Sequence, residues 1–555
     1  MKQIFRNSIF ILSMLFSTAL VAQIDRQYEP VIIPGDSLLA DSPSLFSAPE
    51  IAHLYLYVFH ASPQSWQLIP FQIDEVNPNV DDSLKYFAPE DEFAGIFDGD
   101  DELVFITGNL GDKANDNQWV DGADSARLEI EIHDSLDNQT GYAYLYYFQN
   151  QTFGIPNTYE MDYNEVNDRV MSANYEAGYI ERAGADTNTT GMLNDVVIKQ
   201  GINADIFDRQ KVRAIGSLWI IPVYLDENML VASRAYAKVG PVRVIRNMAG
   251  KFVYSGLELD EGFTQTSFFY PWHGVFELPD IPLDKATESG AQVDEIRISW
   301  DFNEAASGMT FYSESNPAGT SINGIADGTI NTTCTPGELN WTMGTGDQGT
   351  LLNIFNIPAL GDNIGIYYFE SLTGKVGESS PLSKDTGDMK SFGDNGFFLS
   401  GGIENYFMPD TKFKVQFFNF FLPPNFEPAA ASRLSEQMKT PLTYHAIKQI
   451  NPTTAVAANT QTPLQFTLMQ NYPNPFNSST TFSFLLNHES RVTLQVYDVL
   501  GTVITTLVDN KLSAGQHQYI WNSTDDSGMP VASGLYLYTL KTETQQQTQK
   551  LLLIK

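Results

Sequence analysis

Short β-strand patterns recur along almost the whole chain and limit the folds that it can adopt. Runs rich in β-branched and aromatic residues, such as 54–59, 102–107 and 142–147, are separated by turn pairs such as Asp98-Gly99. Helical periodicity is scarce, and the strands do not alternate with helices as they do in parallel α/β sheets. The best short helical candidate is 429–439. The pattern predicts an all-β protein with a large antiparallel β-sandwich body, of one or two domains, and a small C-terminal Ig-like β-sandwich.

The N-terminus has the features of a secretory signal peptide. Lys2 and Arg6 precede an apolar stretch at 9–20, and small residues lie just before Gln23. This stretch is short for a transmembrane helix. We therefore expect residues 1–22 to be removed and the mature chain to carry no transmembrane segment. The alternative is an ordinary buried N-terminal helix.

The charge balance restricts the partners that this chain can bind. The sequence has 67 Asp+Glu residues and 32 Lys+Arg residues, which gives a formal net charge of −35. Such a surface repels phosphate backbones, so we expect no nucleic-acid partner. It is compatible with Ca²⁺ and with neutral glycans. The single cysteine, Cys334, rules out an intramolecular disulfide.

Composition shifts predict five segments. Residues 1–22 form the signal peptide, and 23–190 form an N-terminal β-rich region with Asp-rich loops. Residues 191–450 form a second β-sandwich region, and 451–463 form a small, polar and nearly uncharged linker. The remaining residues, 464–555, form the predicted Ig-like domain.

The C-terminal segment contains several motifs in a fixed order. They are Gln470-Asn-Tyr-Pro-Asn-Pro-Phe-Asn477, a turn at 496–501, Ser513-Ala-Gly-Gln-His517, Trp521, the segment 531–536 and the closing segment 550–555. Together they resemble the C-terminal sorting domain of substrates of the type IX secretion system in Bacteroidetes-related bacteria. The resemblance implies that the following residues carry the sorting signal: Asn471, Pro473, Asn474, Pro475, Phe476, Gly501, Gly515, Gly534, Tyr536 and Lys555.

This resemblance has consequences for partners and location. It implies export by the type IX secretion machinery and a final position outside the cell or on the outer-membrane surface. In the family the domain is often removed at the surface. Ser478 is a small departure, because a proline is common there. The alternative is a plain Ig-like spacer.

An acidic loop is the strongest local chemical pattern in the body. Asp98, Asp100, Asp101 and Glu102 lie close together in a glycine-bearing loop, directly before a predicted strand. Carboxylate oxygens at this density suit Ca²⁺, although the spacing is not that of an EF-hand. We therefore predict a Ca²⁺ cofactor at this loop, with a solvated loop containing Asx-turns as the alternative.

A second candidate site is an aromatic turn. Tyr270 and Trp272 flank His273 and are candidate ligand-binding residues that could stack on a sugar. In an enzyme, His273 and Tyr270 would be the candidate catalytic residues, with acid–base carboxylates from Asp74 with Glu75, or from Asp301. The alternative is a packed aromatic turn with a hydrogen-bonded histidine.

The body also resembles uncharacterised secreted bacterial β-sandwich proteins, although only loosely. The likeness depends on segments 66–75, 240–246 and 298–302, and it implies no particular catalytic residue. The leading hypothesis is a secreted or cell-surface protein whose body binds a glycan or a surface partner. The alternatives are a secreted polysaccharide lyase or glycoside hydrolase with a sandwich fold, and a structural surface component.

Overall fold

The computed structural model describes most of the chain. The described residues are 24–39, 49–80, 84–87, 94–124, 126–179, 192–218, 221–227, 230–254, 257–258, 262–277, 291–325, 330–372, 390–403, 415–452, 466–469, 471, 473–474, 476–486, 488–498, 502–542 and 546–554. The predicted signal peptide, the predicted boundary at 190 and residues 453–463 of the predicted linker lie outside them. So do Pro475, Gly501 and Lys555 of the sorting motifs.

The described residues form many strands and two α-helices. In the first part of the chain the strands are β1 (Pro30–Pro34), β2 (Leu54–Ala61), β3 (Gln64–Leu68), β4 (Phe71–Asp74), β5 (Glu102–Ile106), β6 (Ala126–Asp134), β7 (Gln139–Tyr147), β8 (Asp162–Asn164), β9 (Arg169–Met171), β10 (Tyr175–Gly178) and β11 (Asp195–Ile198). The second part contains β12 (Phe207–Leu218), β13 (Ile221–Leu225), β14 (Leu230–Val239), β15 (Val244–Tyr254), β16 (Leu257–Glu258), β17 (Phe263–Phe269), β18 (His273–Glu277), β19 (Ala291–Phe302), β20 (Thr310–Ser313), β21 (Asn316–Ser321), β22 (Leu339–Gly346), β23 (Gly349–Asn356), β24 (Asn363–Ser371), β25 (Ser391–Ser400), β26 (Gln416–Leu422) and β27 (Thr443–Ile450). The tail contains β28 (Phe466–Leu468), β29 (Thr480–Leu486), β30 (Ser490–Tyr497), β31 (Val503–Leu512), β32 (Gly515–Trp521), β33 (Gly534–Lys541) and β34 (Gln546–Leu553). The helices are α1 (Gly35–Leu39) and α2 (Pro428–Lys439), and short 3₁₀ turns lie at Ile51–His53, Thr107–Asn109 and Glu304–Ala306.

Among the described residues these strands form seven sheets. Sheet A has the order β1-β5-β4, sheet B β27-β6-β7-β2-β3, sheet C β11-β10-β9-β8 and sheet D β13-β12-β19-β25-β24. Sheet E has the order β14-β15-β17-β18-β26-β23-β22-β20-β21, with β16 paired to β15. In the tail, sheet F is β28-β29-β32 and sheet G is β31-β30-β33-β34. The ladders within the sheets are antiparallel, as in β12 with β19 and β30 with β33, so the predicted all-β antiparallel class is confirmed.

Two hydrophobic cores occupy the body, and β5 contributes to both. Successive side chains of a strand point to opposite faces. Leu103 and Phe105 pack in the core between sheets A and B, together with residues such as Leu145. Val104 and Ile106 pack in the larger core that sheets C, D and E share. One five-residue strand therefore joins the two cores.

Sheets D and E face each other across aromatic side chains. Trp300 of β19 stacks on Phe355 of β23, with ring centroids 5.5 Å apart, and meets Phe417 of β26 edge-on at 5.4 Å. All three side chains are buried. The outer face of sheet E is covered by α2, whose Ala431 and Leu434 belong to one buried apolar cluster with the sheet. This helix lies where the sequence predicts one, with Pro428 in its first turn.

The tail has a core of its own. Sheets F and G enclose Phe482, Trp521 and Tyr538, and every residue of this buried cluster lies between 466 and 553. Within the described part of the chain, no helix has the length and apolar character that a bilayer-spanning segment requires.

Candidate binding site on the outer face of sheet D

The outer face of sheet D carries charged side chains that are buried. On β19, Ile298 and Trp300 point into the core, so the alternating residues Arg297, Ser299 and Asp301 point to the other face. The exposed fraction of Ser299 is 1% and that of Asp301 is 0%. Polar groups of this kind are costly to bury unless they are paired, so their partners indicate what this face does.

Lys211 lies at the centre of this face. It comes from β12, directly opposite Ser299 in the register with β19. Its ammonium group forms a short ion pair with Asp301 and lies 3.5 Å from Oδ2 of Asp394 on β25. Ser391 donates a hydrogen bond of 3.2 Å to Asp301. Two buried carboxylates therefore share one ammonium group.

Two arginines extend the cluster along the sheet. Arg213 donates to both carboxylate oxygens of Glu227, at 3.2 and 3.0 Å, and it lies opposite Arg297 in the register. Burial lowers the pKa of Arg213, but the Glu227 carboxylate outweighs this effect and raises it overall. Arg297 binds Glu295 at 3.0 Å and stacks over the Tyr367 ring at 4.1 Å.

Several polar atoms of this face have no hydrogen-bond partner within the described part of the chain. They are Oδ1 of Asp394, Oγ of Ser299, and Nε and Nη1 of Arg297. Asp394 and Ser299 are 2% and 1% exposed, so water does not solvate these atoms freely. An unpaired buried polar atom costs about 1–3 kcal/mol, which makes such atoms candidates for contacts with a ligand.

The aromatic turn at 270–273 is packed into the body. The His273 ring stacks between Tyr270, at 4.9 Å, and Phe420, at 4.6 Å, and both His273 and Tyr270 are buried. Burial lowers the pKa of His273 to about 3 and raises that of Tyr270. Trp272 is half-buried between the rings of Tyr28 and Tyr159. This geometry favours the packed turn over an open stacking platform.

The four residues of the acidic loop have different surroundings. Oδ1 of Asp98 accepts from the Asp100 amide at 3.0 Å, which is an Asx-turn contact, and Oδ2 of buried Asp101 accepts from the Asp98 amide at 3.1 Å. Glu102 instead binds Arg243 at 2.6 Å. Among the described residues no group of three or more His, Cys, Asp or Glu side chains could hold a metal ion.

Arg243 forms a second buried cluster, which sequence reasoning did not identify. Its Nε donates to Asp74 at 2.7 Å and its Nη2 to Glu102, so it joins sheet A to the segment that leads into β15. Gln72 donates to both oxygens of Asp74 at 2.7 and 2.9 Å. A Cβ on Gly240 would lie 2.0 Å from Oε1 of Gln72, so any other residue there would displace the Gln72 amide. These contacts engage the guanidinium of Arg243 on both sides, which indicates a structural connection.

The predicted sorting residues fasten the edge of sheet G. The Asn474 side chain accepts from the Leu552 amide at 2.8 Å and donates to the Lys550 carbonyl at 3.2 Å. The Phe476 amide donates to the Leu552 carbonyl at 3.0 Å. Together the two residues pair with the open edge of β34, as a short strand would.

Other residues of the motif lie in or near the tail core. The amide N–H of buried Asn471 donates to the Tyr538 hydroxyl at 2.7 Å, and its side chain donates to the Pro473 carbonyl at 3.2 Å. Tyr536 packs edge-on against Trp521 at 5.6 Å. Gly515 and Gly534 begin β32 and β33.

Comparisons with known proteins identify the type of the tail domain. The model of the FlgD Ig-like domain family matches residues 474–546. This match and the two-sheet sandwich confirm the predicted C-terminal Ig-like domain. No curated protein matches the chain.

Solved structures give only a weak likeness. An α-mannosidase from Enterococcus faecalis V583 has a TM-score of 0.36 and 8% identity, over 89% of this chain and 55% of that one. Dimeric latent PorU from Porphyromonas gingivalis has a TM-score of 0.16 and 10% identity, over 82% of this chain and 42% of that one. PorZ, a surface component of the type IX secretion system of the same bacterium, has a TM-score of 0.12 and 9% identity, over 81% and 76%. The chain thus spans about half the length of the mannosidase, and likenesses this weak carry no argument about function.

Proposed function

We propose that this protein is exported by the type IX secretion machinery and that its body binds a glycan outside the cell or at the outer-membrane surface. The tail supports the export step. Its buried cluster lies entirely between 466 and 553, and the motif residues Asn474 and Phe476 have defined positions on the edge of β34. A self-contained module with its own core can act as a sorting domain on any body that precedes it.

The export proposal can be tested with the full chain in a bacterium that possesses the machinery. We expect the full-length protein in the medium or on the surface, and a chain that ends at residue 463 in the periplasm. A host that lacks the machinery should also retain the full-length protein. Equal release of the truncated chain would contradict the proposal.

Glycan binding depends on the outer face of sheet D. The observation that carries it is the set of buried polar atoms without partners at Asp394, Ser299 and Arg297. Saturable retention of the purified full chain by a polysaccharide would support binding, and retention by none would contradict it.

A glycoside hydrolase is the second candidate, and the same face favours it. Asp301 and Asp394 both approach Lys211, so two carboxylates lie beside one ammonium group, and a glycoside hydrolase requires a pair of carboxylates. If the protein is a hydrolase, polysaccharides should release reducing ends, and both Asp301→Asn and Asp394→Asn should abolish this release. Binding without product release would leave the binding function alone.

Calcium binding by the acidic loop is a further part of the proposal. Asp98 and Asp100 share one turn, whereas Glu102 is engaged by Arg243. Added Ca²⁺ should raise the melting temperature of the chelator-treated protein, and Asp100→Asn should reduce this increase. No response of the wild-type protein to Ca²⁺ would remove calcium from the proposal.

A further inference from the structure

The outer face of sheet D carries both kinds of hydrogen-bonding group in unpaired form. Nε and Nη1 of Arg297 are donors, Oδ1 of Asp394 is an acceptor, and Oγ of Ser299 can be either. The side chains of Arg297 and Asp394 are 11% and 3% exposed. A ligand for this face must therefore accept and donate hydrogen bonds within a small volume.

The three residues lie close together. Ser299 is two residues from Arg297 on β19, so both point to the same face. Lys211 lies opposite Ser299 in the register and reaches Oδ2 of Asp394 at 3.5 Å, which brings Asp394 to the same part of the face. The Tyr367 ring, 4.1 Å from the guanidinium, limits the directions in which Nε and Nη1 can donate. The face is thus ordered before any ligand arrives.

The charges of the described residues on this face leave no excess cation. The cations are Lys211, Arg213, Arg297 and buried Arg209, which lies opposite Asp301 in the register. The carboxylates are Asp301, Asp394, Glu227 and Glu295. An anionic ligand would therefore meet no net positive charge, and a metal ion would meet the guanidinium of Arg297. A neutral polyhydroxylated ligand avoids both penalties, because hydroxyl groups donate and accept without adding charge.

We infer that the outer face of sheet D binds a neutral sugar unit of a glycan, with Arg297 donating to its oxygens, Asp394 accepting from a hydroxyl and Ser299 completing the contacts. This inference depends on the proposed glycan-binding function and names its site and ligand class. It is independent of the export step, because it concerns the purified protein.

Isothermal titration of the purified mature chain tests the inference. The probes are hexasaccharides of β-1,3-glucan, β-1,4-glucan, α-mannan and xylan as neutral ligands, and oligogalacturonate as the acidic one, all at millimolar concentration. We expect saturable binding of at least one neutral probe and none of oligogalacturonate. Failure of all four neutral probes, or preference for the acidic probe, would overturn the inference.

Two matched pairs of variants locate the site. Ser299→Ala is compared with Ser435→Ala, because the Ser435 hydroxyl is also buried and unpaired but lies on α2. Arg297→Leu is compared with Arg433→Leu, because Arg433, like Ser435, lies on α2. We expect the two variants of sheet D to weaken binding about tenfold or more, which is about 1.4 kcal/mol, and the two helix variants to leave it unchanged.

The melting temperature of each variant provides the folding control. If Arg297→Leu does not fold, Ser299→Ala alone tests the location of the site. This substitution removes only one oxygen atom, which forms no hydrogen bond with the described residues. Equal affinities for Ser299→Ala, Ser435→Ala and the wild type would overturn the assignment of the site. Successful binding with failed export would contradict only the sorting function.

Discussion

At the residue scale, His273 shows what burial does to a candidate catalytic group. Its pKa is lowered to about 3, against about 6.5 for an unperturbed histidine, because burial penalises the charged ring. The unfolded chain therefore binds the proton first as the pH falls, and the fold loses stability between about pH 6.5 and pH 3. His273→Phe keeps a stacked ring without this titration.

Melting temperatures across this pH range test the prediction. The quantity to follow is the melting temperature of His273→Phe minus that of the wild type. Compared with its value at pH 8, this difference should become more positive as the pH falls from about 6.5 to about 4. A constant difference would mean that His273 titrates alike in both states, which would reopen a role as a general base near neutral pH.

The pKa of Asp205 predicts that the stability of the fold also depends on pH in the opposite direction. Burial raises its pKa to about 7, and the Asp195 carboxylate beside it adds to the effect. Other charged groups nearby are Arg169, which pairs with Asp195, and Glu176, which lies 3.3 Å from Arg169. The folded-state pKa exceeds the ordinary value of about 3.9, so the neutral carboxyl stabilises the fold at acid pH. This contribution is lost as the pH rises through 7.

The substitution Asp205→Asn removes this titration but retains a side-chain oxygen that can accept from the amides of Val196 and Phe207, now at 3.0 and 3.2 Å. We expect the melting temperature of the variant, relative to the wild type, to increase from pH 4 to pH 8. A relative melting temperature that falls over this range would show that ionised Asp205 stabilises the fold.

Sequence reasoning at this scale identified single residues but not their partners. Asp301 is a candidate carboxylate from the sequence, but the ammonium group that binds it, on Lys211, lies 90 residues away. Asp394 is 183 residues from Lys211. Strand order in the sheet, rather than any local pattern, brings these groups together, so no spacing in the chain could reveal the cluster.

At the scale of elements, local patterns predicted more. Residues 429–439 form a helix because Ala431, Leu434 and Met438, three or four positions apart, pack together against sheet E. Several strands coincide with the β-branched and aromatic runs, as β5 and β7 do. What the patterns could not predict is which strands pair. The strand β27 lies next to β6 in sheet B, although some 300 residues separate the two.

The edge of β34 gives a prediction at this scale. Asn474→Ala removes two hydrogen bonds to the backbone of that strand, one from the Leu552 amide and one to the Lys550 carbonyl. Because both contacts are exposed, we expect a loss of about 1 kcal/mol in the free energy of unfolding of the tail. Denaturant unfolding of the tail, followed by the fluorescence of Trp521, measures this loss.

Asn477→Ala is the matched control for the edge. Asn477 is an exposed asparagine of the same motif, and its side chain forms no hydrogen bond with the described residues. Its substitution should change the unfolding free energy by less than about 0.5 kcal/mol. Equal losses for Asn474→Ala and Asn477→Ala would show that Asn474 does not seal the edge.

At the scale of the whole molecule, the hydrophobic cores differ in whether they are connected to one another. The tail has a separate core, whereas the two cores of the body share β5 and the Arg243 cluster. Arg243 and Glu102 lie 141 residues apart, so their contact was not predictable from the sequence. We expect the full chain to unfold in one transition for the body and a separate one for the tail.

The substitution Arg243→Leu tests this connection. It leaves the carboxylates of Asp74 and Glu102 without their guanidinium partner, and Asp74 is 0% exposed. Removing one member of a buried ion pair costs about 3–5 kcal/mol, so the transition of the body should move to a clearly lower temperature. The transition of the tail should not move, because Arg243 lies outside the buried cluster of the tail, whose members all lie between 466 and 553.

Scanning calorimetry of the full chain measures both transitions at once, and Arg433→Leu provides the control. Arg433 pairs with Asp137 and Glu436 on the exposed side of α2, where an ion pair contributes only about 0–1 kcal/mol. The body transition should therefore stay close to its wild-type temperature in this variant. If Arg243→Leu instead makes the body unfold in two transitions, Arg243 couples the two cores, and β5 is not sufficient to couple them without it. If it shifts the body no more than Arg433→Leu does, Arg243 does not hold the cores together, and the shared strand is their main connection.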